Sequence, residues 1–230
     1  VVPYAHFELD MAMTAYERNQ TDNKLPSFSD HIAYKSNHEI KTYACLNKRI
    51  RPHRIWFYNY LFHSGLIDKG LVSMNEFDKH GYHFENKSID IETIEKISQN
   101  LPLVVHGKAN NEFDDNFYIR RFNDKISLDT YMTVISEAHC GDSDETMFIS
   151  EKTFKVIAVN HPFIIMGNKD SMRMMRKLGY KTFDGFIDES YDTLPTHERL
   201  QSIIESIRKV DNIQNKLEWF NSMKEILEYN

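Results

Sequence analysis

FISEKTFKVIAVNHPFIIMG, residues 148–167, decides how this chain is read. Ser150 stands where a helix would begin, and a serine hydroxyl there satisfies free amides of the first turn. The run through residue 159 reads as a helix, and PFIIM (162–166) as a short, wholly apolar strand closed by Gly167. A helix followed at once by a buried strand is half of a βαβ unit. The other half lies just upstream, where residues 131–136 (YMTVIS) carry strand composition and HCGDSDETMF forms a loop. Downstream, the pattern predicts a helix over 169–178 ended by Gly179, a short strand over 180–183, and two helices over 196–210 and 211–229.

Working outward, the same order stands earlier in the chain. KTYACL (41–46) is a strand, NKRIRP a polar turn, residues 53–66 an apolar helix with Gly65 near its end, and 71–74 a second strand. Strands alternating with helices imply a parallel sheet, so the fold class is α/β with Rossmann-like sheets. Elsewhere the signals are weaker. Residues 1–9 are a candidate strand, 10–19 have helical composition, and 20–30 read as a loop. Residues 78–86 form a polar loop, 89–98 a short amphipathic helix, 101–106 a strand or buried linker, and 108–123 a polar stretch. We place a domain boundary there, giving regions 1–107 and 108–230.

Composition bounds the function. The 230 residues are 41% hydrophobic with 12 Tyr and 15 Phe, enough for a core and too aromatic for disorder. With 28 basic and 34 acidic residues the net charge is −6, which argues against a general nucleic-acid binder. Two distant cysteines, Cys45 and Cys140, point to free thiols in a reducing, cytoplasmic compartment and not to a disulfide framework. No apolar run approaches the roughly 18 residues of a membrane span. The polar start without an initiating Met suggests a processed N-terminus or, as we prefer, a piece of a longer chain.

Three constellations carry possible chemistry. Ser150, Glu151, Lys152 and Thr153 open a helix, where free amides and a partial positive charge suit a phosphate. Lys152 adds a full charge and Glu151 an acceptor for ribose hydroxyls; the alternative is an ordinary capped helix. The turn at residues 47–54 gathers Lys48, Arg49, Arg51 and Arg54 just beyond a strand, a natural anion clamp or else a solvated basic turn. Asp142 and Asp144 have the spacing of an acidic metal-diphosphate motif, but a solvated loop is the better reading. His80 and His83 lack further zinc ligands, and His161 reads as structural. No Gly-x-Ser-x-Gly elbow, dinucleotide fingerprint or phosphate loop occurs, which argues against serine hydrolases, nicotinamide enzymes and P-loop ATPases.

The residues 148–167 block, with Glu137 upstream, resembles the donor site of GT-B glycosyltransferases, especially the α1,3-fucosyltransferase-like group. In that pattern an acid ends one strand, an Ile-Ser-Glu-Lys-type sequence opens a helix, and a Pro begins the next strand. Residues 178–192, and the upstream blocks at 45–54 and 70–73, look like glycosyltransferase-like proteins of phages and large viruses. The resemblance implies a nucleotide-diphosphate sugar held between two Rossmann-like halves, the N-terminal one reduced. It implies that Lys152, Ser150, Thr153, Arg49, Arg51 and Arg54 face the diphosphate, and that Glu151 and Glu137 serve the ribose or sugar. Transfer to a glycan or other hydroxyl acceptor would need no divalent metal or other cofactor. The catalytic base is left unmatched, with His6, Glu8 and Asp10 as candidates. A non-catalytic binding or structural protein of viral origin is the alternative.

Overall fold

Four short apolar runs pair into one parallel sheet in the computed structural model, which describes residues 25–47, 50–75, 91–103, 105, 124–142 and 147–230. They are β1 (Lys41–Leu46), β2 (Gly70–Ser73), β3 (Thr130–Ser136) and β4 (Phe163–Met166), in the order β2-β1-β3-β4. All pairings are parallel. A parallel sheet is covered on both faces, so its strands are apolar throughout and do not alternate. Every residue of β4 is buried, as are the central four of β1.

The helices in chain order are α1 (Phe28–Lys35), α2 (Pro52–His63), α3 (Ile91–Ser98), α4 (Asp124–Leu128), α5 (Glu151–Ala158), α6 (Ser171–Lys177), α7 (Thr196–Asp211), α8 (Lys216–Ser222) and α9 (Lys224–Tyr229). Pro52 opens α2, where its missing amide costs nothing. Gly65 ends it with φ +70°, and Leu66 N–H reaches back to the Leu61 carbonyl, closing the last turn. Gly70 begins β2 under the Tyr43 ring, where a β-carbon would stand 2.4 Å from the ring. Side chains on a strand alternate between faces. On β3, Thr133 meets His161 while Ser136 meets Arg54 of α2. No described helix is long and apolar enough to cross a membrane.

Several expectations change. The loop expected over residues 20–30 gives way at Ser27 to α1, through a capping box of Ser27 and Asp30. The strand expected over 180–183 does not form; Phe183 is packed in the core, and a tight turn through Gly185 (φ +90°) closes on an Asp184–Ile187 bridge. The last helix is two, because Asn215 caps a new start at α8 and α9 begins after Met223. The boundary expected near residue 107 separates strands of one sheet: β1 pairs with β3 across it, and one core takes residues from both sides. Among the described residues there is one Rossmann-like sheet. The readings for residues 1–19, 78–86 and 108–123 lie outside the described residues.

One face carries a buried cluster of basic side chains. Lys35, 4% exposed, donates to the carbonyls of Ser127, Leu128 and Thr130 at 2.6–2.8 Å, closing the end of α4. His31 and His161 stack beside it around Phe220. Burial lowers His31 to about 4 and His161 well below its usual value. Both histidines are therefore neutral in the fold. As pH falls from 6.5 toward 4 the unfolded chain binds protons that folded His31 does not, so stability falls across that window. Glu189 and Asp192, whose carboxyls burial raises, offset part of this. Urea denaturation should show a loss of up to about 2 kcal/mol per histidine between pH 6.5 and 5, and His31→Gln should shrink it. Lys35→Met should lose about 3 kcal/mol at pH 7, because three carbonyls lose their donor.

Candidate functional site

The carboxyl ends of the four strands lie along one edge. The registers Leu46 to Ser73 and Ser136 to Met166 bring Asn47, Glu137 and Gly167, each the next residue after its strand, to that edge. From β1 the chain leaves through α2 to β2, and from β3 it leaves through α5 to β4 on the other side. The gap between β1 and β3 is therefore the topological switch point, where open α/β sheets bind ligands.

Glu137 sits in that gap, wholly buried. Its carboxylate accepts from Ser150 N–H (2.9 Å), Ser150 Oγ (2.6 Å) and Thr153 Oγ1 (3.0 Å), with Lys152 Nζ at 3.8 Å. Its backbone carbonyl accepts from His53 Nε2 and Arg54 Nη2, both at 3.1 Å. The two blocks singled out in the sequence, 47–54 and 150–153, thus meet at one residue. A buried carboxylate is tolerated because charged hydrogen bonds and the positive end of a helix replace its water.

This geometry sorts the expected site residues. Ser150 and Thr153 point their hydroxyls at Glu137, and Ser150 also caps α5. Arg54 is turned inward, its Nε on Ser136 Oγ (2.8 Å) and Nη2 on the Ser136 and Glu137 carbonyls. Glu137 reaches the helix start, not open space. Lys152 keeps a 39% exposed side chain, 3.5 Å from Glu151. Arg51 stands at the N-cap of α2, half-buried, with Nε unpartnered. Arg49 lies outside the described residues. Asp142 is bound to Thr196 Oγ1 (2.8 Å) and to Arg199 (3.3 Å), a fully buried arginine that also holds the Leu194 and Gly141 carbonyls. Asp144 lies outside the described residues, and among those described no cluster of His, Cys, Asp or Glu forms a metal site.

Other groups at this edge were given no role of their own from the sequence. Asn168 follows the end of β4 by two residues and is 2% exposed, and Asn47 is 4% exposed. Both side-chain carbonyls lack a hydrogen-bond partner. With Arg51 Nε they make three unpaired polar atoms along one edge, where buried polar groups are normally satisfied. His53 is buried and neutral, pushed down to about 3 by burial and by Arg54. His139, two residues past Glu137, is exposed, its ring edge-on to Phe148 at 5.3 Å. The signal for all of these was position just past a strand end, not residue type.

No family model, curated protein or solved structure matches the chain. Glu137→Ala should destabilise the fold by about 3 kcal/mol in urea denaturation, since Ser150 and Thr153 lose their acceptor and Lys152 its partner. Glu137→Gln should recover only part of this. Equal stability of all three proteins would show that the Glu137 carboxylate does not hold the start of α5.

Proposed function

We propose that the switch point between β1 and β3 binds the diphosphate of a nucleotide sugar, and that the chain transfers the sugar to a hydroxyl acceptor. The observation that carries this reading is the meeting of α2 and α5 at Glu137. It puts Arg51 and Lys152, from segments about a hundred residues apart, at the carboxyl edge of one parallel sheet. What narrows the ligand to a nucleotide sugar is the resemblance of residues 148–167, with Glu137, to the fucosyltransferase-like donor site.

The roles differ from a simple clamp. Glu137 already occupies the amide of Ser150, so α5 does not offer its first turn freely to phosphate. Lys152 and Arg51 carry the charge in this reading, while Ser150, Thr153 and Arg54 hold the frame. Glu151, one residue from Lys152 in the first turn of α5, takes the ribose or sugar hydroxyl in this reading. In the transfer, the acceptor oxygen attacks the anomeric carbon as the bond to the diphosphate breaks. Fixed positive charge stabilises the leaving oxygen without a metal.

Melting the protein with excess GDP, UDP or ADP tests this. At least one should raise the melting temperature, because a ligand bound only by the folded state stabilises it. Lys152→Ala and Arg51→Ala should each abolish the shift without lowering the melting temperature of the free protein by more than a few degrees. Shifts that survive both substitutions would overturn the assignment. Binding without turnover of any nucleotide sugar would favour a non-catalytic protein that retains the fold.

A further inference from the structure

Resting on the nucleotide-sugar reading, we infer that His139 is the general base that takes the proton from the acceptor hydroxyl. Transfer needs such a group near the anomeric carbon, beside the leaving diphosphate. Most of the titratable groups at the carboxyl edge are already committed. Glu137 is wholly buried and accepts from three donors. His53 is buried with Nε2 on a carbonyl, and its pKa near 3 leaves it unable to hold a proton at neutral pH. Asp142 is tied to Thr196 and Arg199 and held below the usual carboxylate range. Glu151, with an 18% exposed side chain, stands 3.5 Å from Lys152. His197 uses Nδ1 on the Tyr60 hydroxyl and packs on Trp56.

His139 differs from each of them. It is exposed, and its ring is braced by Phe148 from the start of the segment leading into α5. Two residues beyond Glu137, and packed on Phe148 two residues before Ser150, it stands at the carboxyl edge beside the start of α5. The charged and titratable groups carried at this edge are Glu137 and Asp142 on its own segment, Arg51, His53 and Arg54 at the start of α2, and Glu151 and Lys152 at the start of α5. The imidazole accepts the acceptor O–H proton as that oxygen bonds to the anomeric carbon. The electron pair of the breaking C–O bond leaves with the diphosphate, so one bond forms and one breaks with inversion.

Because the acceptor is unidentified, water serves as the probe. Hydrolysis of GDP-fucose, GDP-mannose, UDP-glucose and UDP-galactose is measured from pH 5 to 9, alongside the nucleotide melting shift. The wild-type rate on the accepted donor should rise through a single titration. His139→Gln should keep the melting temperature, the nucleotide shift and KM while losing about 100-fold in kcat and the titration. His139→Ala should recover rate with added imidazole. A His139→Gln rate within about threefold of wild type, or nucleotide binding with no hydrolysis of any donor, overturns His139 as the base. Absence of any nucleotide shift in the wild-type protein overturns the nucleotide-sugar reading itself and this inference with it.

Discussion

A carboxylate with no solvent exposure, at the end of the third strand, is the constraint on which the rest of this edge depends. Glu137 must be compensated, and the compensation comes from four groups at the start of α5: an amide, two hydroxyls and a lysine. Each is specified by the Ser-Glu-Lys-Thr sequence at residues 150–153. The same residue's carbonyl anchors His53 and Arg54 of α2. One position therefore fixes where two helices begin relative to the sheet, and their starts define the switch point. The buried charge is a positioning device first.

That constraint also divides labour among similar residues. Arginine and lysine in the basic turn and at the helix start look interchangeable as anion ligands in the sequence. In the fold, Arg54 is spent on carbonyls of β3 while Arg51 and Lys152 stay near the surface. On the opposite side, Lys35 spends its charge on three carbonyls at the end of α4. The chain uses buried cations to close backbone ends and leaves others at the edge where a ligand would arrive. Arg199 does the same for the loop after β3, holding its Gly141 carbonyl and Asp142 to the start of α7.

The strands β1, β3 and β4 and the helices α2, α5 and α7 were legible because apolar runs, a Pro and a Ser cap mark them locally. The first βαβ unit followed from them, and the structure pairs β1 with β2 in parallel. What failed was information that is not local. The strand expected at 180–183 has suitable composition, but a turn through Gly185 and core packing of Phe183 decide otherwise. Helix α1 did carry a signal, Ser27 and Asp30 three apart, masked by a polar setting rich in Ser, Asp and Pro. Strand order cannot be read along the chain: β3 returns to pair with β1. In the site, residue types were legible but orientation was not, which is why Arg54 and Glu137 read as ligands of solvent-borne groups.

The central claim is that one edge of the sheet, built around Glu137, is where this protein meets its ligand. Backbone amide chemical shifts recorded by NMR during titration with GDP test it most directly. The account predicts changes concentrated at residues 47, 51, 53, 54, 137–142, 150–153 and 168, with none around His31, Lys35 and Phe220. Changes confined to the hollow lined by Met147, Arg173 and Lys177, or spread over the opposite face, would contradict it.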